Sequence, residues 1–236
     1  MKAMILGAGL GTRLRPLTED RPKALVTVAG RTLLEMAILR LRASGVRELI
    51  VNVHHYADMI CEYLKANDDF GMRIEVSRED ALLDTGGGLK KAGWFFLDCD
   101  EPFLVHNVDV MSGIDLGAMV RVHAEQGALA TIAVQRRKTS RGLVFDASGR
   151  LLGRAGEGDE ARAVGFAGIH VVSPRIFSEL VEVGGFSIID AYVRLAGMGE
   201  KIVGFEADGA YWRDLGRVES VRQAEMDVES GIYTLG

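Results

Sequence analysis

Leu6-Gly7-Ala8-Gly9-Leu10-Gly11-Thr12-Arg13-Leu14-Arg15-Pro16-Leu17-Thr18, with Arg21-Pro22-Lys23 just beyond it, follows directly on an apolar opening segment. Glycines at 7, 9 and 11 can adopt positive φ and bring bare backbone N–H groups up to anionic oxygens. Arg13, Arg15, Arg21 and Lys23 add positive charge that only Glu19 and Asp20 oppose locally. Together these features predict a strand, a tight turn and a polyphosphate site. Spacing excludes two familiar rivals. A dinucleotide fingerprint wants a third glycine where Thr12 stands and a helix that Pro16 would interrupt, and a P-loop wants Gly-Lys-Ser/Thr, which is absent.

Outward from this turn, apolar runs alternate with amphipathic stretches, the pattern of a mostly parallel sheet covered by helices. The fold class predicted is α/β, three-layer and Rossmann-like. Strands are expected at 2–6, 46–53, 72–76, 102–110, 128–134, 142–146 and 164–172, with a Gly- and charge-rich loop near 153–163. Thr32-Leu33-Leu34-Glu35 has capping-box spacing, and apolar residues at 33, 34, 37, 38 and 41 make one helix face that Gly45 ends. Further helices are expected at 57–67, at 89–97 and from Asp115 to about Gly127. Ligands of open α/β sheets sit outside the carboxyl ends of strands, so the glycine turn and Asn107-Val108-Asp109 should face one cleft.

With 236 residues the chain can bury a substantial core and is read as one domain over 1–236. A net charge of −5 argues against nucleic acid or an anionic membrane as a partner. Cys61 and Cys99 make neither a disulfide scaffold nor a C-x-x-C metal spacing and read as inert thiols. His54, His55 and His106 lack zinc-site spacing. The N-terminus runs straight into the glycine turn without a signal pattern, and no apolar run approaches a membrane span, which points to the cytoplasm.

The segment Gly9 to Leu25 resembles the sugar-1-phosphate nucleotidylyltransferases, whose pattern runs G-x-G-S/T-R-L-x-P-L-T and then P-K-A/P-L/M. That resemblance implies the nucleotidyltransferase fold and transfer of a nucleotidyl group from a nucleoside triphosphate to a sugar 1-phosphate, with release of pyrophosphate. It implies Mg²⁺ as cofactor, held by Asp109 and by Asp214 of Trp212-Arg213-Asp214-Leu215-Gly216-Arg217, which is similar to the family's W-x-D-x-G-T/R. Asp214 also reads as an N-cap for the helix that follows. Val108 replaces the glycine that usually precedes the first aspartate. Arg13 and Lys23 are the implied catalytic cations, and the roles of Arg15 and Arg21 stay open. Leu6, Ala8, Gly9, Gly11, Thr12, Arg13 and Asn107 are implied nucleotide contacts. In Asp84-Thr85-Gly86-Gly87-Gly88 the loop should take base and ribose through Asp84, Gly86 and Gly88, since glycines leave backbone groups open. Gly168 and Asp190 fall on the sugar side.

The resemblance divides the chain into a nucleotide-binding part, about 1–110, a sugar-binding part, about 111–215, and a C-terminal helix, about 217–229. No room follows for the β-helix some members append, and a homo-oligomer stays open. The E-K-P element that many members use on the sugar phosphate is absent from Arg154-Ala155-Gly156-Glu157-Gly158. With the short chain, the D-T-G-G-G segment and Phe186-Ser187 before a helical stretch, this favours uridylyl transfer to an N-acetylmuramate-like sugar. Guanylyl transfer to mannose or heptose 1-phosphate is the alternative. Two other classes compete: a silent nucleotide-sugar sensor, which should have lost one of the charged residues present here, and a glycosyltransferase, whose D-x-D is broken by Asp109-Val110-Met111.

Overall fold

The computed structural model describes residues 1–98 and 100–235; Cys99, read above as an inert thiol, lies outside them. The fully buried strand β1 (Lys2–Leu6) leads into the glycine turn and two 3-10 turns, Thr12–Leu14 and Lys23–Leu25. A short hairpin of β2 (Thr27–Val28) and β3 (Arg31–Thr32) feeds α1 (Leu33–Ala43). Thr32 caps α1, its hydroxyl accepting from Glu35 N at 3.0 Å, and Gly45 at φ 89° closes it. Then come β4 (Glu48–Val53), α2 (Ala57–Ala66), β5 (Arg73–Arg78), α3 (Asp84–Lys91), β6 (Phe103–Asn107) and β7 (Val110–Ser112). α4 (Leu116–Gln126) starts on the side-chain cap of Asp115 and stops at Gly127, φ 55°. The chain continues through β8 (Ala130–Gln135), β9 (Leu143–Phe145), β10 (Leu151–Arg154), β11 (Gly165–Val172) and α5 (Ile176–Glu179). It ends with α6 (Ile188–Gly197), β12 (Ile202–Glu206), β13 (Trp212–Asp214) and α7 (Val218–Glu229).

Seven strands form the main sheet in the order β12-β8-β11-β6-β1-β4-β5, with β11 antiparallel to both its neighbours and the rest parallel. The period-2 alternation of strands sends their side chains to two cores. Ala3, Ile5, Leu49, Val51 and Leu104 pack with α1, α2, α4 and α7 on one face, while Met4, Leu6, Ile50 and Val105 pack with α3, α5 and α6 on the other. The result is the expected three-layer α/β arrangement. No helix among the described residues is long and apolar enough to cross a membrane.

Three expectations are corrected. The helix expected at 89–97 begins at Asp84 and ends at Lys91, so the D-T-G-G-G segment is its first turn rather than a loop before it. Glycine disfavours helices, but here the missing side chains let α3 lie against the segment leading into α6. A Cβ on Gly86 would fall 2.3 Å from Cε2 of Phe186, and one on Gly87 would fall 2.4 Å from Gly184 O. The strand expected over 102–110 breaks after Asn107; β7 restarts at Val110 and pairs away from the main sheet with β13. Asp214 therefore lies on a strand, and Arg217 occupies the N-cap of α7.

Burial holds two imidazoles neutral on the paired strands β6 and β11. It depresses His106 to about 4 and His170 to about 3, and His170 Nδ1 meets the buried Tyr192 hydroxyl at 2.6 Å. Because the unfolded chain binds these protons near pH 6.5 and the folded chain does not, stability is complete above that pH and declines as pH falls towards the folded values. At pH 5 each histidine should cost about 2 kcal/mol. The urea midpoint should therefore be level above pH 7 and drop between pH 6.5 and 5; a flat midpoint over that interval contradicts the burial argument.

Candidate active site

The glycine turn leaves β1 with each glycine serving a different constraint. Gly7 is buried, donates its N–H to Asn52 Oδ1 at 2.8 Å, and has no room for a side chain, since a Cβ would meet Asn52 O at 3.0 Å. Gly9 is exposed with nothing within 4 Å of its Cβ position, an open approach to backbone. Only Gly11 adopts positive φ, 64°, and its Cβ would sit 3.0 Å from both Lys23 Cβ and Thr18 Cγ2. Leu6 and Ala8 are buried, whereas Thr12 and Arg13 are exposed on the 3-10 turn that follows. Arg21 forms an exposed ion pair with Asp20 at 2.8 Å, and neither Arg15 nor Arg21 lines the cleft described below.

Asp109 sits just past the carboxyl end of β6. Its carboxylate forms a short ion pair with Lys23, both side chains being largely buried. The antiparallel pairing of β7 with β13 sets Asp214 opposite Val110, and Leu215 N–H donates to Asp109 O at 2.8 Å. Gly216 marks the convergence: a Cβ there would lie 2.7 Å from Asp214 Oδ1, 3.0 Å from Arg13 Nη2 and 3.5 Å from Asp109 Oδ2. Both carboxylates and the turn's arginine thus surround one point. Among the described residues no three His, Cys, Asp or Glu side chains cluster closely enough to hold a metal alone. Two carboxylates with space between them suit Mg²⁺, which commonly takes one or two and completes its shell with phosphate oxygens and water.

A cleft of ≈ 680 Å³ opens here, lined among others by Arg13, Asn107, Asp109, Arg137, Gly168 and Asp214. Gly168 lies at the bulge of β11 with φ 77°, and its Cβ would collide with Val110 Cγ2 at 2.6 Å and meet Asn107 Nδ2 at 3.0 Å. Asn107 Oδ1 is buried without a protein partner. Asp190, expected on the sugar side, is tied to Arg154 at 3.0 Å from α6; Arg154 lines the cleft, and Asp190 is not among the lining residues.

The Asp84 segment is built differently from the expectation. Gly86 N–H is already committed to Phe186 O at 2.8 Å, so it is not open to a ligand, and the Cβ positions of Gly88 face Asn52 and Glu79. The Asp84 carboxylate accepts from the next residue, Thr85 N, at 2.6 Å. Two residues that sequence reading missed hold this wall to the glycine turn. Asn52 receives the N–H of Gly7 and donates through Nδ2 to Glu79 Oε1 at 2.7 Å, and Glu79 Oε2 accepts from Leu83 N at 3.0 Å. Asn52 near the end of the apolar β4 was the available signal; Glu79 follows the mixed strand β5, where an acidic residue does not stand out.

Residues 2–152 match the nucleotidyl transferase family. Over 234 residues the chain is 35% identical to the N-acetylmuramate alpha-1-phosphate uridylyltransferase of Caulobacter vibrioides, an alignment covering 94% of this chain and 95% of that protein. It is 31% identical over 246 residues to the UTP–glucose-1-phosphate uridylyltransferase of Synechocystis sp., covering 95% of this chain and 62% of the relative. The solved UDP-glucose pyrophosphorylase from Acinetobacter baumanii shares the fold, with a TM-score of 0.82 at 19% identity over 100% of this chain and 95% of the other. The chain belongs to the nucleotidyl transferase family, among its sugar-1-phosphate nucleotidylyltransferases.

Proposed function

We propose that the chain is a Mg²⁺-dependent uridylyltransferase that acts as a single domain in the cytoplasm on N-acetylmuramate 1-phosphate. The observation that carries the reading is the convergence of Asp109, Asp214 and Arg13 around the Gly216 position. The choice of uridylyl and of an N-acetylmuramate sugar is supported by the relative that matches this chain over nearly the full length of both.

In this reading an oxygen of the sugar phosphate bonds to the α-phosphorus of UTP while the bond from that phosphorus to the α,β-bridging oxygen breaks. The bonding pair leaves on pyrophosphate. The nucleophile is already an anion, so no side chain has to remove a proton, and catalysis reduces to positioning and charge compensation. The glycine turn presents backbone N–H groups to the phosphates, and Arg13 offers a forked donor to the departing pyrophosphate. Lys23 pairs with Asp109 and acts as a point charge towards the reacting phosphates. Asp109 and Asp214 would hold Mg²⁺, which supplies neutralisation and polarisation of phosphoryl oxygens. Asn107 and Gly168 form the sugar-side wall, with Asp190 acting behind it through Arg154, and Asp84, Gly86 and Gly88 shape the base side through the helix they begin.

Pyrophosphate release should be fastest with UTP and N-acetylmuramate 1-phosphate in the presence of Mg²⁺, against a panel that includes GTP, mannose 1-phosphate and glucose 1-phosphate. GTP preference would move the chain to guanylyl transfer, and silence across the panel would make it a sensor. Asp109→Asn and Asp214→Asn should each lower kcat by roughly a hundredfold or more, since a neutral amide cannot compensate metal charge. Far-UV circular dichroism should be unchanged in both. A rate near that of the unmodified chain in either variant removes that aspartate from the reaction.

A further inference from the structure

Arg137, two residues beyond the carboxyl end of β8, is a half-buried cation that the reading above leaves without a task. Its guanidinium lies 4.3 Å from the ring centroid of Trp212, and Nη2 donates to Phe166 O at 2.8 Å. Trp212 is itself fixed by its indole N–H, which donates to Ala167 O at 2.8 Å. Nε is shut away from solvent with no acceptor, and among the described residues no carboxylate lies within ion-pair distance of the side chain. The slot is shaped for it: a Cβ on Gly165 would fall 2.7 Å from Cζ and 2.8 Å from Nε. Burial works against its charge and the field of Asp214 supports it.

Position decides which anion such a group serves. β6, which carries Asp109, has β1 and the glycine turn on one side and β11 then β8 on the other. β1, β6 and β8 run in the same direction, so their carboxyl ends share one edge of the sheet. Neighbouring strands are about 4.8 Å apart, which sets Arg137 two strand widths from Asp109, on the flank away from the turn. In-line transfer needs the attacking oxygen opposite the leaving one. A triphosphate anchored over the turn therefore leaves the Arg137 flank for the nucleophile.

We propose that Arg137, stacked on Trp212, binds the phosphate of the sugar 1-phosphate and so positions the attacking group. The assignment rests on the transferase reading. A planar guanidinium held against an aromatic face loses little freedom when it meets phosphate oxygens, which favours this geometry over a free lysine.

Trp94 and Trp212 are the only tryptophans, and Trp94 is exposed, so Trp94→Phe makes Trp212 the sole indole reporter. In that background, glucose 1-phosphate and N-acetylmuramate 1-phosphate should each change the Trp212 emission saturably, and unphosphorylated N-acetylmuramate should not. Arg137→Gln should weaken the sugar 1-phosphate response by roughly tenfold or more while the calorimetric Kd of UTP moves less than about twofold. Arg137→Lys should recover part of the loss. Gly165→Ala gives an independent route, because its methyl displaces the flexible end of Arg137 without removing the charge, and it should weaken the same ligand. Unchanged sugar 1-phosphate affinity in Arg137→Gln, an equal loss for UTP, or a response to the unphosphorylated sugar overturns the assignment. Absence of pyrophosphate release by the unmodified chain counts instead against the transferase reading, since the emission titration needs no turnover.

Discussion

The pairing of two three-residue strands, Val110–Ser112 with Trp212–Asp214, is the constraint on which the rest of the site depends. It joins segments about a hundred residues apart, and a loop of that size closes only at an entropic cost that local propensity cannot offset. The ladder is held from both ends. Leu215 N–H continues it onto Asp109 O, and the Trp212 indole ties it to the bulge of β11. Behind it, the buried carboxylate of Asp227 on α7 accepts from Tyr211 OH and Arg213 Nη2, each at 2.6 Å, and from Gln223 Nε2 at 3.0 Å. A buried carboxylate that accepts from three side chains is satisfied and stiff. Through it the C-terminal helix fixes the strand that carries Asp214.

The opposite wall is set by hydrogen bonds rather than by a ladder. Asn52 and Glu79 end neighbouring strands and together link Gly7, on β1's turn, to Leu83, at the start of α3. Both side chains are almost fully buried, so an unpaired group in this chain would be expensive. The glycine turn and the start of α3 are therefore tied to one another.

Much of this was legible in sequence because it depends on local chemistry. The apolar alternation gave the strands their two faces, and the density of glycine and cations after β1 located the turn. Asp109 could be read from its place at a strand end. Asp214 could be singled out only through the family motif, because its proximity to Asp109 depends on a pairing that neither segment encodes alone. The Asp84 segment was misread for a related reason. Three glycines argue against helix by propensity, and it is Phe186 and the carbonyl of Gly184, a hundred residues on, with Asn52 and Glu79 beside Gly88, that make their small size useful. Arg137 was hidden as one cation in Arg136-Arg137-Lys138; its neighbours are surface charges, and the slot at Gly165 that sets it apart lies across β11.

Charge in the cleft runs counter to charge in the chain. The protein carries a net −5, yet the cleft wall bears Arg13, Arg137, Arg141 and Arg154 against Asp109 and Asp214. Two of these charges are compensated from within: Asp109 by Lys23 and Arg154 by Asp190. Among the described residues the remaining guanidiniums, Arg13, Arg137 and Arg141, have no carboxylate within ion-pair distance. Such a site is less stable than an apolar one of the same shape, and its excess positive charge is discharged only by an anionic ligand. The glycines follow the same logic. Gly216 keeps a side chain from the point where two carboxylates and Arg13 meet, and Gly165 keeps one from the guanidinium slot. At both, the absence of a methyl group preserves the space that the charged side chains occupy.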